Sequence, residues 1–139
     1  MASMIGSKVE RKEDKKFLTG KGRYTADINL HNQLHAVFIR SPHARAKIKG
    51  IDTSKAKKAA GVIDVLTGKD MQDDKIGGLI AGWKIVSKDG TDMKCPAHPP
   101  LATDFVNYVG DHIALVVAET LQEAKDAADL VKVDYKVLK

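Results

Sequence analysis

The alternation of apolar and polar residues predicts a series of short β-strands. "QLHAVFIR", residues 33–40, is rich in β-forming residues and is partly apolar on both faces, so we expect a strand that is covered on both sides. In "AKIKGID", residues 46–52, Gly50 interrupts the alternation as a β-bulge would. A short strand is also expected at Leu79–Ser87, and further strands are expected in "VIDVL", "HIALVVA" and "VKVDYKV".

Two segments between these strands carry helix signals. The polar residues at 52–54 can cap a helix that ends at Gly61, because glycine favours the left-handed conformation that closes a helix. Thr120 and Glu123 have the spacing of a capping box, and small or apolar residues follow at helical spacing. Strand, helix and strand are thus predicted twice, around residues 45–66 and 112–137. This order indicates an α+β fold, a mixed β-sheet with two main helices packed on it.

Two other segments have few apolar anchors. Residues 1–16 are polar and mixed in charge, which is typical of a flexible arm that orders only against another surface. Residues 67–103 are rich in glycine and proline, and irregular stretches of this length are usually functional or docking segments. We therefore divide the chain into an arm, 1–16, and a domain, 17–139. We expect the loop's apolar residues Ile76, Leu79, Ile80 and Trp83 to lie at such a docking surface, weakly held or partly exposed. The alternative is that they pack on the domain's own core.

Length and charge narrow the class of protein. The chain has 139 residues and a net charge of +5, which suits one domain. Residues 1–69 hold 15 basic and 6 acidic residues, but these are mixed, and no aromatic residues are spaced to stack bases, so nucleic-acid binding is not favoured. The chain has one cysteine and no apolar segment typical of a secretory signal, which favours a cytoplasmic protein. It also has no apolar run of about 18 residues, so we expect no membrane insertion.

The string "LTGK" occurs twice, at residues 18–21 and 66–69, and suggests either a phosphate site or a duplication. A phosphate-binding loop needs four residues between its glycines, followed by Gly-Lys and Ser or Thr, between a strand and a helix. Neither copy has that spacing, and the sequences around the two copies do not match. We interpret both copies as turns and their recurrence as coincidence.

The remaining candidates for chemistry are histidines and one cysteine. His31 and His35 are four residues apart, but they are predicted in a turn and a strand, so the spacing does not place them on one helix face. His43 follows a proline between two arginines, as a structural or interface group would, and Cys95 has no base beside it. The residues alone therefore identify no catalytic, cofactor-binding or metal-binding residue.

Three groups of residues resemble one enzyme family. "FLTGKGRY" (17–24), "HAVFIRSPHA" (35–44) and "YVGDHIALVVAE" (108–119) are similar to the large subunits of molybdenum hydroxylases. This family includes aerobic carbon monoxide dehydrogenase, xanthine dehydrogenase and aldehyde oxidase. The resemblance extends in order over residues 9–138 and implies the α/β hammerhead domain at the N-terminus of that subunit. It also implies that "LTGKGRY" has no phosphate role.

The sequence departs from the family pattern at three places. Ala60 stands where a proline is usual, His31 and Asn32 stand where a glycine commonly follows a proline, and Asp111-His112 replaces an acid or glutamine followed by proline. None of these changes removes a catalytic group. They leave open whether the substrate is carbon monoxide, an aldehyde, a purine or another compound.

The resemblance implies a supporting part of an oxidoreductase. In the family, molybdopterin cytosine dinucleotide and the catalytic glutamate are held by later domains, and 2Fe–2S clusters and FAD belong to partner subunits. We therefore expect no cofactor on this chain, which would be inactive alone and would pack against the remainder of the large subunit and the iron–sulfur small subunit. Residue 139 falls about where the hammerhead domain ends, so we expect either a piece of a longer chain or a subunit encoded in two parts. A free-standing interaction module with the same fold is the alternative.

Overall fold

The computed structural model describes residues 5–6, 8–80 and 82–138. The chain forms two compact units, residues 1–33 and residues 34–139. Part of the predicted arm, residues 1–4 and 7, lies outside the described residues. The boundary that the sequence suggests between residues 16 and 17 remains a prediction.

The first unit contains helix α1 (Asp14–Leu18) and a 3-10 turn at Thr25–Asp27. The rings of Phe17 and Tyr24 stack with centroids 5.4 Å apart. Gly22 lies against this pair, and a Cβ there would come within 2.6 Å of the Phe17 ring. None of the described residues up to Gln33 is buried, so this unit has no core of its own.

The second unit is built on two antiparallel three-stranded sheets. Their strand orders are β1-β5-β3 and β4-β2-β6. The strands are β1 (His35–Arg40), β2 (Ala46–Asp52), β3 (Val62–Thr67), β4 (Phe105–Val106), β5 (His112–Ala118) and β6 (Lys132–Val137). Helix α2 (Gly68–Asp73) follows β3, and helix α3 (Leu121–Leu130) follows β5. The α+β class predicted from the sequence is confirmed.

In place of the expected mixed sheet, the structure has two antiparallel sheets. The strands of each predicted strand–helix–strand unit join different sheets, β2 and β6 in one and β3 and β5 in the other. Each described pair is antiparallel, so neither unit is a parallel crossover. The order of helices and strands along the chain was enough to predict the α+β fold class. The partner of each strand, by contrast, depends on contacts between residues that are distant in sequence.

The first core lies between the β1-β5-β3 sheet and helix α3. Val65 and Val116 are fully buried there against Ala127 of the helix, and Ile39 and Val131 pack around them. The alanines of α3 allow the helix to lie close to the sheet, since they have no bulk to hold it away. This confirms the helix whose apolar face the spacing predicted, although its first residue, Leu121, is 46% exposed.

The second core lies on the β4-β2-β6 sheet. Ala46, Ile48 and Val106 are buried there together with Ile113, a residue of β5. The β1–β5 register passes from Ala114 to His112 and skips Ile113, so a bulge on β5 supplies this residue to the second core. The two sheets are joined through this side chain. The predicted bulge at Gly50 is confirmed, because the β2–β6 register shifts between Ile48 and Gly50.

The capping box at the start of α3 is confirmed. The Glu123 amide donates to Thr120 Oγ1 at 3.2 Å, and the Thr120 amide donates to Glu123 Oε2 at 3.0 Å. Gly61 has a φ of 71°, the left-handed conformation predicted for it. Its carbonyl accepts from the Glu119 amide at 2.9 Å, which ties the start of β3 to the end of β5.

Three local predictions differ from the structure. The helix expected between residues 52 and 61 is a single 3-10 turn, Ala56–Lys58, which has no side-chain cap; the Asp52 carboxylate accepts from the Ser54 amide ahead of this turn. Strand β1 is half-buried on one face only, and its other face is exposed. The strand expected at Leu79–Ser87, of which residue 81 lies outside the described residues, is a loop with two isolated bridges, Leu79–His98 and Val86–Asp92.

The two copies of "LTGK" adopt different structures. The first copy ends α1, where the Thr19 hydroxyl donates to the Lys15 carbonyl at 2.7 Å. The second copy ends β3 and begins α2 at Gly68. A Cβ on Gly68 would lie 2.5 Å from the Ala102 carbonyl oxygen, so this glycine serves a close backbone approach. The second copy is therefore a strand-to-helix junction and not the turn predicted for it, and the two copies do not form a duplicated unit.

Candidate docking surface

The long segment between α2 and β4 forms a loop with local order. The Met93 amide donates to the Ile85 carbonyl at 3.0 Å, and the Ser87 amide donates to the Thr91 carbonyl at 2.8 Å. Asp89 closes the turn between them by accepting from the amide and hydroxyl of Thr91. These bonds lower the pKa of the Asp89 carboxyl, the Thr91 hydroxyl contributing most. The loop thus has a defined backbone at its tip although it lacks strands.

The loop presents apolar side chains to solvent. Ile80 is 93% exposed and Trp83 is 83% exposed, and both values are far above those of a residue in a domain core. The predicted exposure of the loop's apolar residues is therefore confirmed. The exposed members are Ile76, Leu79, Ile80, Trp83, Ile85, Val86 and Met93. Large apolar side chains gathered on one segment are typical of an interaction site.

Aromatic residues extend this surface from the loop to the first sheet. The Leu79 amide donates to the His98 carbonyl at 2.7 Å, and the His98 ring stacks on Tyr108 with centroids 6.1 Å apart. On the sheet, Phe38 stacks on His112 with centroids 4.4 Å apart. We call the residues Leu79, His98, Tyr108, Arg40, Phe38 and His112 the aromatic strip.

Arg40 joins the two parts of the aromatic strip. Its Nη1 donates to the Gly110 carbonyl at 3.2 Å, and its guanidinium carbon lies 5.9 Å from the Phe38 ring centroid. Arginine over an aromatic face is attracted by the ring's negative electron density. Through this side chain, the 108–110 loop is held against strand β1.

A buried carboxylate fixes the loop that carries Tyr108. Asp111 is only 3% exposed, and its Oδ2 accepts from the Asn107 amide at 2.9 Å. Partial desolvation of the phenol, and next the charge of Asp111, raise the pKa of Tyr108, a residue that is 45% exposed. A phenol is protonated at neutral pH, so Tyr108 can donate a hydrogen bond to a partner.

The candidate residues from the sequence lie apart from the aromatic strip. His43 lies edge-on to Tyr135, with centroids 4.9 Å apart, and its amide donates to Ser41 Oγ at 3.0 Å, contacts that suit the structural role, one of the two that the sequence allowed. His31 lies in a turn and His35 in β1, so their spacing has no helical meaning. Cys95 is a half-buried cysteine in the loop, as predicted.

The described residues carry no marker of a metal-ion or ligand site. No group of three or more His, Cys, Asp or Glu in this part of the chain could hold a metal ion. No buried polar side-chain atom within the described ranges lacks a hydrogen-bond partner, so no orphaned group marks a ligand position. None of the described helices is both long and apolar enough to cross a membrane.

Sequence reasoning missed most of the aromatic strip. It placed Phe38 on a strand covered on both sides, and it assigned no role to His98, Tyr108 or His112. The available signal was the exposed-face pair Phe38 and Arg40, two residues apart on one strand. The contacts of this pair with residues 110 and 112 are visible only in three dimensions.

The comparisons with known proteins agree with one another. The family model for the aldehyde oxidase and xanthine dehydrogenase a/b hammerhead domain matches residues 19–139. The chain is 43% identical over 136 residues to the nicotine 6-hydroxylase large subunit of Paenarthrobacter nicotinovorans, covering 98% of this chain and 16% of that one. It is 39% identical over 136 residues to the carbon monoxide dehydrogenase large chain of Afipia carboxidovorans, covering 96% of this chain and 15% of that one.

A solved structure gives the same answer. The crystal structure of quinoline 2-oxidoreductase from Pseudomonas putida 86 superposes on this chain with a TM-score of 0.82 and 36% sequence identity. The superposition covers 96% of this chain and 16% of the matched quinoline 2-oxidoreductase chain. The chain thus spans about a sixth of the length of the relatives that it matches. The chain belongs to the aldehyde oxidase and xanthine dehydrogenase a/b hammerhead domain family, the family of molybdenum hydroxylase large subunits that its sequence resembles.

Proposed function

We propose that this chain is the N-terminal structural domain of the large subunit of a molybdenum-dependent oxidoreductase. The observation that carries the proposal is the coverage: nearly all of this chain aligns with about a sixth of relatives that are large subunits of hydroxylases and dehydrogenases. A domain that makes up about a sixth of a subunit is one part of that subunit. The chemistry is then supplied by residues elsewhere in the subunit, and the domain is inactive alone.

The side chains of metal-ligating types among the described residues support a non-catalytic role. A molybdenum enzyme of this kind would hold molybdopterin cytosine dinucleotide in the remainder of the subunit, with 2Fe–2S clusters and FAD on partner subunits. Among the described residues, no group of three or more His, Cys, Asp or Glu could hold a metal ion. We therefore assign this chain support and docking, in the cytoplasm, without nucleic acid or membrane insertion.

The exposed apolar loop supports a docking role. Burying Ile80 and Trp83 against a partner would remove a large apolar area from water, which favours association. The partners are the remainder of the large subunit and the iron–sulfur small subunit. The aromatic strip adds ring faces and the Tyr108 hydroxyl to the same surface.

Metal analysis and activity assays test the absence of catalysis. The purified chain should carry no molybdenum and no iron–sulfur cluster, and it should not reduce a dye with carbon monoxide, aldehydes or purines. Stoichiometric molybdenum or turnover in this sample would contradict the proposal. A preparation of a whole relative, such as carbon monoxide dehydrogenase, serves as the positive control.

The genomic DNA on either side of the 139 codons tests the assignment to a larger enzyme. We expect the cofactor-binding remainder to be encoded in the same frame or in a neighbouring gene. If it is not encoded there, the chain is a free-standing interaction module that has the fold without the enzyme.

A further inference from the structure

Strand β1 is an unprotected edge of the first sheet. It stands at the end of the order β1-β5-β3, and no strand of the described residues pairs with its outer side. Proteins usually protect such edges with lysine, proline, bulges or very short strands. The sequence of β1, His-Ala-Val-Phe-Ile-Arg, has neither lysine nor proline, and the bulge beside it lies on β5.

The other described edges carry such protection. Strand β4 has only two residues, and β6 has charged side chains at Lys132, Asp134 and Lys136. Strand β3 lies beside the 3-10 turn, and Lys57 of that turn pairs with Asp64 at 3.2 Å. Among the described edges, β1 therefore stands out as the one suited to accept another strand.

The backbone groups of β1 that face outward can be assigned. The Ser41 amide donates to the Asp111 carbonyl, and the Ser41 carbonyl accepts from the Gly110 amide, both at 2.8 Å. Both partners lie on the β5 side. Since successive residues of a strand direct their backbone groups to opposite edges, the groups of Arg40, Phe38 and Ala36 point to the free edge.

A groove runs along this edge. It has a volume of about 280 Å³ and lies between residues 37–40 of β1 and Lys125, Ala128 and Asp129 of α3. A free strand edge beside a helix is the arrangement in which extended peptides add to a sheet, with the backbone providing affinity and the helix-side pocket providing selectivity. Side chains of an added strand would meet Ala128, flanked by Lys125 and Asp129, on one face and Phe38 on the other. An apolar residue fits next to Ala128 and next to Phe38.

We infer that an extended segment of the remainder of the large subunit pairs with β1 as a fourth strand of the first sheet. This inference rests on the proposed function, which supplies the source of the strand. The unpaired backbone groups of β1 and the groove define what this strand must be: an extended backbone with apolar side chains on both faces. The added strand lies next to Phe38 and Arg40, so it continues the aromatic strip.

Amide exchange in a whole subunit tests the inference. This chain replaces its 136 aligned residues in the nicotine 6-hydroxylase large subunit of P. nicotinovorans. We expect exchange at the amides of Ala36, Phe38 and Arg40 to be at least about tenfold slower in the whole subunit than in the separate chain, because each amide gains a backbone partner. Equal rates in both samples, with the 76–86 loop protected in the subunit, would overturn strand addition while the proposed function stands.

A proline variant tests the same edge by removing one outward donor. Ala36→Pro should leave the separate chain folded, since proline is tolerated where the amide faces away from the ladder, and it should abolish the extra protection at residues 38 and 40. Ala36→Ser keeps the amide and should behave as the parent chain. Unfolding of the proline variant in the separate chain would contradict the outward assignment of Ala36.

Two further outcomes are informative. Protection at these amides that rises with the concentration of the separate chain would assign the edge to a second copy and overturn the inference. A subunit in which neither the β1 edge nor the 76–86 loop gains protection would contradict the proposed function as well.

Discussion

Replacing Thr120 by alanine removes a defined part of the α3 capping box. The Thr120 hydroxyl accepts from the Glu123 amide at 3.2 Å and donates to Glu123 Oε2 at 2.7 Å. The bond from the Thr120 amide to the same carboxylate, at 3.0 Å, remains possible in the variant. Two of these three bonds are lost at an exposed site where water can replace them, so we expect a cost of about 1 kcal/mol, within the usual range of ~0.5–2 kcal/mol.

Urea denaturation measures this cost. For a domain of this size, with a denaturant dependence of about 2 kcal/mol/M, the midpoint should fall by about 0.5 M. Thr120→Ser is the matched control, because it keeps the hydroxyl and should leave the midpoint nearly unchanged. An alanine variant with the midpoint of the parent chain would mean that this hydroxyl does not cap α3, and the start of the helix would need another explanation.

Further predictions concern the α2 end of the domain and its behaviour in acid. Gly68→Ala places a Cβ 2.5 Å from the Ala102 carbonyl oxygen, so it should lower the free energy of unfolding, measured by urea titration, by about 1–3 kcal/mol. Gly50→Ala is the control and should have little effect, because no atom lies within 4 Å of its new Cβ. The pKa of Asp70 is lowered, chiefly by the hydrogen bond from the Thr67 hydroxyl. A carboxyl with a lower pKa in the folded state stabilises the fold above its unfolded pKa, and this contribution is lost as the pH falls through the folded pKa. Unfolding measured from pH 6 to pH 2 should therefore show a loss of stability below about pH 4 that is smaller in Thr67→Val, and equal losses in the two proteins would refute this role of Thr67.

Local signals in the sequence were sufficient for much of the fold. The capping box at Thr120, the bulge at Gly50 and the left-handed turn at Gly61 each depend on a few neighbouring residues, and the structure has all three. Strand β5 has the bounds expected from its apolar run, His112–Ala118. These features follow from hydrogen-bonding and backbone preferences that act within one turn or one strand.

Features that depend on distant residues were not predictable in this way. The polar residues at 52–54 have helix-capping chemistry, but the Asp52 carboxylate bonds the Ser54 amide and the segment makes one 3-10 turn. The bulge on β5 that sends Ile113 into the second core is set by pairing with β1. The aromatic strip likewise depends on contacts across about 70 residues, such as Arg40 with Gly110, so no local pattern could reveal it.

Amide exchange through residues 76–86 tests the docking surface most directly. In the separate chain the account predicts fast exchange at the described amides of this loop other than Ile76 and Leu79, which donate to the Met71 and His98 carbonyls, because Ile80 and Trp83 are exposed there. In a whole large subunit that contains the domain, it predicts slow exchange. The amides of 112–118 provide the internal reference, since they belong to the central strand of the first sheet. Exchange through 76–86 in the separate chain as slow as that of 112–118 would show that the loop packs on the domain's own core, and it would contradict the docking surface.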